Sequence, residues 1–278
     1  MRACFLLVFV FCSLFGVGQN SKKDKIVKIN TSFGEMVAVL YDQTPLHKEN
    51  FLSLAEAGRY DSTIFHRVIE EFMMQGGDIF RKPNESKGTD DDRIPAEIIE
   101  GLFHQKGELA AARTNNPEKK SSSCQFYIVQ GKVYDEMELI ADQNKLNQVF
   151  AELLQAGKID SIRNELIKMQ KEGRFDEMNS FIASCTPHLE KVSGEKLTKE
   201  MDPIQLAAYT TVGGAPHLDG EYTVFGRVIR GIEVIDKIAA VETKAGDQPK
   251  EDILMTMEVV EMKKKKITKE YGYTYPEN

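Results

Sequence analysis

The chain has 278 residues, of which 41% are hydrophobic and 28% charged, a composition typical of a folded globular protein and not of a disordered or fibrous one. Its formal net charge is −7, and it becomes −8 once Arg2 is removed with a cleaved leader. A negative balance argues against nucleic acid as a partner, because phosphate binding needs clustered cations.

The first residues indicate an export signal. Arg2 precedes an apolar run over residues 4–17, and small residues end this run at Gly18. This pattern predicts a secretory signal peptide over residues 1–18, cleaved after Gly18, and a periplasmic or secreted mature protein. Phe11 before Cys12 argues against a lipoprotein, since a lipid-attachment cysteine normally follows a small residue. No later run reaches the ~20 apolar residues that a membrane-spanning helix needs.

Short runs of alternating or continuous apolar residues predict β-strands through much of the chain. Ile26 to Asn30 and Glu35 to Tyr41 alternate around a turn at residues 31–34, which predicts an antiparallel hairpin. Turn residues separate six further predicted strands: Ile64 to Ile69, Phe72 to Gln75, Glu108 to Ala111, Gln125 to Val129, Thr223 to Ile229 and Met255 to Met262.

Two helices interrupt these strands. Thr44 can cap the first, Pro45 suits its first position and Gly58 ends it. Gly231 to Ala240 predicts the second. Many short strands with two helices predict a mainly β protein, a closed barrel capped by helices.

Between residues 132 and 209 the apolar period becomes helical. Apolar side chains recur at helical spacing in three stretches, with Gly157 and Gly173 between them, and Asp202-Pro203 starts a further short helix. We therefore expect an all-α insert at 132–209, between barrel parts at 25–131 and 210–262. Its apolar stripes could form a small bundle core, a surface against the barrel or a groove for a client. Residues 263–278 are left as a C-terminal tail, with the lysines that begin it read as a solvated strand end.

The run from Phe65 to Asp78 mixes polar and apolar residues in a way that core packing does not require. Arg67 and Gln75 bracket Phe72 and Met73, and the run ends in a Gly-Gly-Asp turn. Arg67 alone would more often be an ion-pair partner than a functional group. Its position among these neighbours favours a binding or catalytic site.

This run resembles the cyclophilin family of peptidyl-prolyl cis-trans isomerases. Three further segments resemble the family in order, namely Gly107 to Thr114, Ser123 to Ile128 and Leu218 to Val228. The resemblance covers roughly residues 25–130 and 210–262. It implies an eight-stranded antiparallel barrel with two capping helices, a groove for proline-containing polypeptides, and no cofactor or metal.

The resemblance also implies the site residues. Arg67 matches the family's catalytic position, and the substrate-binding positions are Phe72, Met73, Gln75, Ala112, Arg113, Gln125, Tyr127, His217, Leu218 and Tyr222. Arg113 and Tyr222 are typical of bacterial relatives, whereas Tyr127 stands where most members have Phe. His217 replaces a common Trp, so we expect a looser apolar contact and weaker binding of cyclosporin-type inhibitors.

The chemistry of these residues agrees with isomerisation. Amide resonance sets a barrier of ~18–20 kcal/mol to rotation, and X-Pro bonds populate both isomers. Arg67 could donate to the prolyl nitrogen of the twisted amide while Phe72, Met73, Tyr127 and Leu218 exclude water. We expect an isomerase that acts during folding of exported proteins. The alternative is a weakly catalytic or non-catalytic chaperone whose helical insert holds clients.

The remaining reactive residues favour structural interpretations. We expect His66 to face away from Arg67 on its strand and to make structural hydrogen bonds. His47, His104 and His188 lack metal-ligand spacing, so no metal is expected. Cys124 is interpreted as a structural thiol because no base is visible nearby. An oxidising compartment would permit it to pair with Cys185, but two cysteines do not make a disulfide framework.

Overall fold

The computed structural model describes residues 22–81 and 92–276, so the predicted signal peptide lies outside the described residues. Eight strands close into an antiparallel barrel in the order β1-β10-β3-β4-β6-β5-β7-β2, which confirms the expected fold class. The barrel strands are β1 Lys23–Thr31, β2 Gly34–Leu40, β3 Thr63–Ile69, β4 Met73–Gly76, β5 Glu108–Ala111, β6 Phe126–Val129, β7 Val224–Arg230 and β10 Leu254–Lys263. A two-stranded hairpin of β8 Thr243–Lys244 and β9 Gln248–Pro249 was not predicted.

The barrel buries side chains on both faces of β1. Val27 and Ile29 belong to the interior core, while Ile26 packs on the outer face with Val37 and Ile267. Successive side chains of a strand point to opposite faces, so one strand contributes to both layers. The inner layer fills the barrel, and the outer layer carries whatever packs against it.

Two helices cap the barrel, as predicted: α1 Pro45–Glu56 and α8 Ile232–Ala239. The expected side-chain cap at Thr44 is not made, because its Oγ1 donates instead to the Tyr41 carbonyl at 3.4 Å. The carboxylate of Glu97 takes the capping role and accepts from the backbone N–H groups of Leu46 and His47, both at 3.0 Å. A distant acid therefore satisfies N–H groups that the helix itself leaves unpaired.

Residues 132–209, called the helical segment below, are mostly helical and contain no barrel strand, and their last helix continues to Thr211. The six helices are α2 Glu136–Ile140, α3 Gln143–Gln155, α4 Asp160–Lys171, α5 Phe175–Ser184, α6 Thr186–Ser193 and α7 Pro203–Thr211. Leu146, Val149, Ile159 and Leu189 are buried together in a separate core. The apolar stripes therefore form a small bundle core, one of the three alternatives that the sequence left open.

The helical segment joins the barrel through a narrow neck, formed by Gly131-Lys132 where the chain leaves and Gly213-Gly214 where it returns. The Gly214 N–H donates to the Lys132 carbonyl at 3.0 Å, and the Lys132 N–H donates back at 3.3 Å. A Cβ on Gly131, whose φ is +64°, would stand 2.3 Å from the Gly214 backbone. Glycine is required there because the two chains touch backbone to backbone.

The C-terminal segment is more ordered than a tail. β10 ends at Lys263, and the next lysines begin α9 Lys264–Tyr271, so the interpretation of a solvated strand end was wrong beyond Lys263. Ile267 of this helix is fully buried on the outer barrel face. None of the helices in the described residues is long and apolar enough to span a membrane.

Candidate functional site

The predicted site residues converge on the outer face of the barrel. A cavity of about 110 Å³ is lined by nine of them: Arg67, Phe72, Met73, Gln75, Ala112, Arg113, Tyr127, Leu218 and Tyr222. The other two stand beside it. Gln125 accepts a hydrogen bond from Gln75 Nε2 at 3.0 Å, and the His217 ring lies 5.1 Å from the Phe72 ring. The structure thus gathers eleven side chains that are scattered over about 155 residues of sequence.

A β-bulge in β3 places Arg67 at this cavity. Phe65 pairs with Gly76 but Arg67 pairs with Gln75, so His66 is an extra residue between them. Phe65 and Val68 both belong to the interior core, which leaves His66 and Arg67 outside it. The expectation that these two neighbours occupy opposite faces was therefore wrong.

His66 uses only part of the hydrogen-bonding capacity expected of it, in a contact with the Ile64 backbone. Its buried Nδ1 has no hydrogen-bond partner in the part of the chain that the structure describes. Burial lowers the pKa of His66, which favours the neutral ring. His66 therefore contributes to the site as the extra residue of the bulge that places Arg67 at the cavity.

Asp247 orients Arg67. The Nε of Arg67 donates to Asp247 Oδ2 at 3.1 Å, and both side chains are somewhat less than half exposed. Asp247 lies in the turn between β8 and β9 with φ +60°, and its carbonyl accepts the Val68 N–H at 2.8 Å. The terminal guanidinium nitrogens have no partner among the described residues and remain free to donate. Sequence reasoning missed Asp247 because no local pattern connects it to a residue 180 positions earlier.

The apolar side of the cavity keeps its character although Tyr127 carries a hydroxyl. Met73 and Tyr127 are almost fully buried, and Leu218 packs against the same cluster. The Tyr127 hydroxyl lies 2.9 Å from His104 Nε2, so it is satisfied behind the cavity. Burial raises the pKa of Tyr127, which keeps the hydroxyl protonated. The cavity therefore meets the ring of Tyr127 with its polar group already bonded.

On the opposite rim of the cavity, the cationic side chain of Arg113 contacts an aromatic ring and an acidic side chain. The Arg113 guanidinium lies 4.6 Å from the centre of the Tyr222 ring and its Nη2 donates to Glu221 at 3.0 Å. A second cavity of about 250 Å³ shares Gln75, Ala112 and Arg113 with the first. The two cavities form one extended groove, which suits a polypeptide better than a small compact molecule.

The helical segment contributes no side chain to the lining of the first cavity. Its nearest link is Tyr209 of α7, whose hydroxyl donates to Asp219 at 2.6 Å, one residue after Leu218. Direct gating of the cavity by these helices therefore finds no support in the geometry.

The two cysteines of the described chain are free thiols, and Cys124 is buried. Burial raises the pKa of the Cys124 thiol, which disfavours the thiolate that a nucleophile needs. Among residues 22–81 and 92–276, no three His, Cys, Asp or Glu side chains are grouped so that they could hold a metal ion.

Comparisons with known proteins point in one direction. The family model described as cyclophilin type peptidyl-prolyl cis-trans isomerase/CLD matches residues 26–180 and 199–260. A peptidyl-prolyl cis-trans isomerase of Acinetobacter baylyi is 27% identical over 82% of this chain and 78% of its own length. One from Streptomyces antibioticus is 42% identical over 37% of this chain and 60% of its own length.

Two further comparisons concern the share of a longer relative that the chain covers and the similarity of its fold to a crystal structure. The chain spans 38% of a Streptococcus pyogenes protein, 32% identical, whose name joins a phosphatase to a peptidyl-prolyl isomerase. A crystal structure of a Cryptosporidium parvum cyclophilin type isomerase superimposes with a TM-score of 0.50 at 19% identity, covering 86% of this chain and 98% of that one. That likeness shows a shared fold. Because the family model also matches residues 132–180, the expectation that the helical segment is an insertion stays a prediction.

Proposed function

Because the chain belongs to the family of cyclophilin type peptidyl-prolyl cis-trans isomerases, we propose that it accelerates rotation about X-Pro peptide bonds, with Arg67 as the catalytic residue. The observation that carries the proposal is a cavity of about 110 Å³ on the barrel face that is lined both by the charged donor Arg67 and by apolar side chains. Relatives named as isomerases support the activity.

Arg67 would act on the nitrogen of the twisted amide. When conjugation is lost, the prolyl nitrogen becomes pyramidal and can accept a hydrogen bond, which it cannot do in either planar isomer. A donor that meets this nitrogen only in the twisted state lowers the barrier without trapping cis or trans substrate. The ion pair with Asp247 holds the guanidinium through Nε and leaves the terminal nitrogens for this contact.

The apolar side chains would hold the proline ring. Phe72, Met73, Tyr127 and Leu218 line the cavity, and they exclude water around the reacting bond. Gln75 is fixed by its 3.0 Å hydrogen bond to Gln125 and would bind a backbone carbonyl of the substrate. With the ring held, rotation takes place on the amino side of the bond.

The test is isomerisation of a proline-containing tetrapeptide by the mature protein and by Arg67→Ala. We expect kcat/KM to fall roughly 100-fold or more, because loss of one preorganised donor typically has this size of effect. Arg67→Lys keeps the charge but not the fixed fork of donors and should recover only part of the rate.

Arg230→Ala is the matched control, since it removes another arginine of the barrel that does not line the cavity. It should retain the wild-type rate. Equal rates for wild type and Arg67→Ala would sink the mechanism, and an inactive wild type would sink the activity itself.

The predicted signal peptide suggests where this activity would be used. Unaided proline isomerisation takes tens of seconds and can limit folding, so an exported isomerase would serve proteins that fold after secretion. Fractionation of cells expressing the full chain tests this location, and retention of the uncleaved protein in the cytoplasm would contradict it.

A chaperone role is the second candidate, because the helical segment exposes large apolar side chains. Ile204 is 72% exposed and Phe175 59% exposed. Exposed apolar surface of this kind can hold unfolded polypeptide. The variant carrying Phe175→Ser and Ile204→Ser should lose suppression of client aggregation and keep isomerase activity.

Leu254→Ser is the control for this test, because Leu254 is 55% exposed but lies on the barrel. It should suppress aggregation as the wild type does. If the double variant suppresses aggregation equally well, the helical segment does not hold clients through this surface.

A further inference from the structure

A chain of buried and partly buried hydrogen bonds runs from the helical segment to the back of the cavity. The Tyr209 hydroxyl of α7 donates to Asp219 Oδ2 at 2.6 Å, and Asp219 Oδ1 lies 2.9 Å from His104 Nδ1. His104 Nε2 lies 2.9 Å from the Tyr127 hydroxyl. Tyr209, His104 and Tyr127 are all nearly or fully buried.

The direction of each hydrogen bond follows from the chemistry of its groups. An ionised carboxylate only accepts, so His104 Nδ1 must carry a proton and donate to Asp219. In the neutral ring, Nε2 then accepts from the Tyr127 hydroxyl. Asp219 Oδ1 also accepts from the His104 backbone N–H at 2.9 Å. Every member therefore has one defined role, which fixes the His104 ring and, through it, Tyr127.

Close packing supports the same arrangement. A Cβ on Gly214 would stand 2.3 Å from the His104 carbonyl oxygen and 2.5 Å from a ring carbon of Tyr209. The Ala215 N–H donates to that same carbonyl at 2.8 Å. The Tyr209 ring and the His104 backbone thus pack directly against Gly214, where a larger residue would displace them.

We infer that Tyr209, Asp219 and His104 are positioning residues for catalysis, through which the helical segment fixes the Tyr127 side of the proline-binding cavity. The inference rests on the proposed isomerase function. It gives the helical segment a role in turnover although none of its side chains lines the cavity. Tyr127 carries this role because its hydroxyl, absent from a phenylalanine, makes the bond to His104.

Small displacements matter at such a site. Catalysis requires the cavity to fit the twisted amide better than either planar isomer, and a misplacement of ~1 Å can cost up to ~100-fold in rate. Loss of one hydrogen bond behind Tyr127 should loosen the ring by less than this. We therefore expect an effect on kcat larger than the effect on KM.

The test compares Tyr209→Phe with the wild type in the tetrapeptide assay, on the full mature chain. We expect kcat to fall roughly three- to tenfold with KM changed less than twofold. Tyr134→Phe is the matched control, because its hydroxyl belongs to the same segment and makes no hydrogen bond with the described residues. It should retain wild-type kcat.

A double-mutant cycle separates positioning from general stability. Within a Tyr127→Phe background, Tyr209→Phe should lower kcat by less than twofold, because the hydrogen bond between Tyr127 and His104 is already absent. Fold-losses in kcat that simply multiply in the double variant, as they do for two independent residues, overturn the inference. So does an unchanged kcat for Tyr209→Phe in an active wild-type protein, and this result leaves the isomerase function standing. An inactive wild type overturns both.

Thermal unfolding of each variant checks the fold. Tyr209→Phe keeps the ring that packs 5.5 Å from Phe103, so its Tm should change little. Should it unfold early, Asp219→Asn replaces it in the same cycle, because the amide keeps the shape and weakens the same acceptor. Retention of wild-type kcat by Asp219→Asn would overturn the inference equally.

Discussion

The barrel and the helical segment bury different kinds of side chain. Nine polar or charged side chains are buried in the described part of the chain, and eight of them belong to the barrel and its connections. Thr186 is the one that belongs to the helical segment. The segment is otherwise an amphipathic bundle, whereas the barrel contains networks around His47, His104 and Glu108.

The two regions therefore depend on different interactions, apolar packing in the helical segment and buried polar networks in the barrel. Amphipathic helices need a stripe of apolar residues and tolerate substitution when volume is kept. Buried polar networks specify one arrangement, because each unsatisfied group has a high cost. The barrel therefore carries the site, which depends on fixed geometry, and Tyr209 is the point where the helical segment joins that geometry.

Matched deletions in the two cores give the largest expected effects. Leu109→Ala in the barrel core should lower the free energy of unfolding by about 3–5 kcal/mol, since Leu109 is fully buried and a cavity would remain. Leu146→Ala in the helical core should lower it by about 2–4 kcal/mol, because a small bundle can relax around the gap. Urea unfolding measures both.

The isomerase activity of Leu146→Ala tests whether the site depends on the core of the helical segment. At 25 °C Leu146→Ala should keep kcat/KM within about twofold of wild type, provided that Tyr209 still reaches Asp219. A loss of activity in Leu146→Ala comparable with that in Arg67→Ala would break the comparison, because the site would then depend on the whole bundle.

Glu108 gives the barrel a pH dependence of stability between weakly acidic and weakly basic pH. Burial raises the pKa of Glu108 to about 8, and Tyr41 donates to its carboxyl at 2.7 Å. The folded state therefore holds a proton that the unfolded chain releases at lower pH. Stability from this group is fully present below the unfolded pKa and is lost as pH rises toward 8, with a slope of at most about 1.4 kcal/mol per pH unit.

Glu108→Gln should remove this loss between pH 5.5 and 8.5, as measured by urea unfolding at each pH. The comparison with wild type cancels the contribution of His47, whose pKa is lowered by burial and whose effect on stability has the opposite sign. Parallel pH profiles for the two proteins would contradict the assignment.

Local patterns were sufficient for the strands and for most of the site. Short apolar runs between turn residues placed β5 at Glu108–Ala111 with both ends correct, and alternating or apolar runs placed the other barrel strands within three residues at their ends. The position of Arg67 among apolar neighbours indicated the site, and the resemblance supplied the side chains that now line it. These features depend on residues close together in sequence or on a shared pattern.

What could not be predicted depends on contacts between distant residues. Glu97 caps α1 from 51 positions away, and Asp247 orients Arg67 from 180 positions away. The bulge at His66 leaves no mark in composition, since a strand with one extra residue reads locally like any other. Helix α9 was missed because its polar sequence carries one buried apolar residue, Ile267.

The neck at Gly131 and Gly214 bears on how the chain folds. About 80 residues separate Gly131 from Gly214 in the connection between β6 and β7, and closing so long a loop delays the pairing of barrel strands. Helices form from local contacts and faster than a barrel closes. Once the bundle has assembled, its two ends emerge side by side, and the effective loop between β6 and β7 shrinks to about a dozen residues. In kinetic terms the helical segment then acts as a loop that is already closed, and β7 reaches β5, with which it pairs, over a much shorter effective distance along the chain.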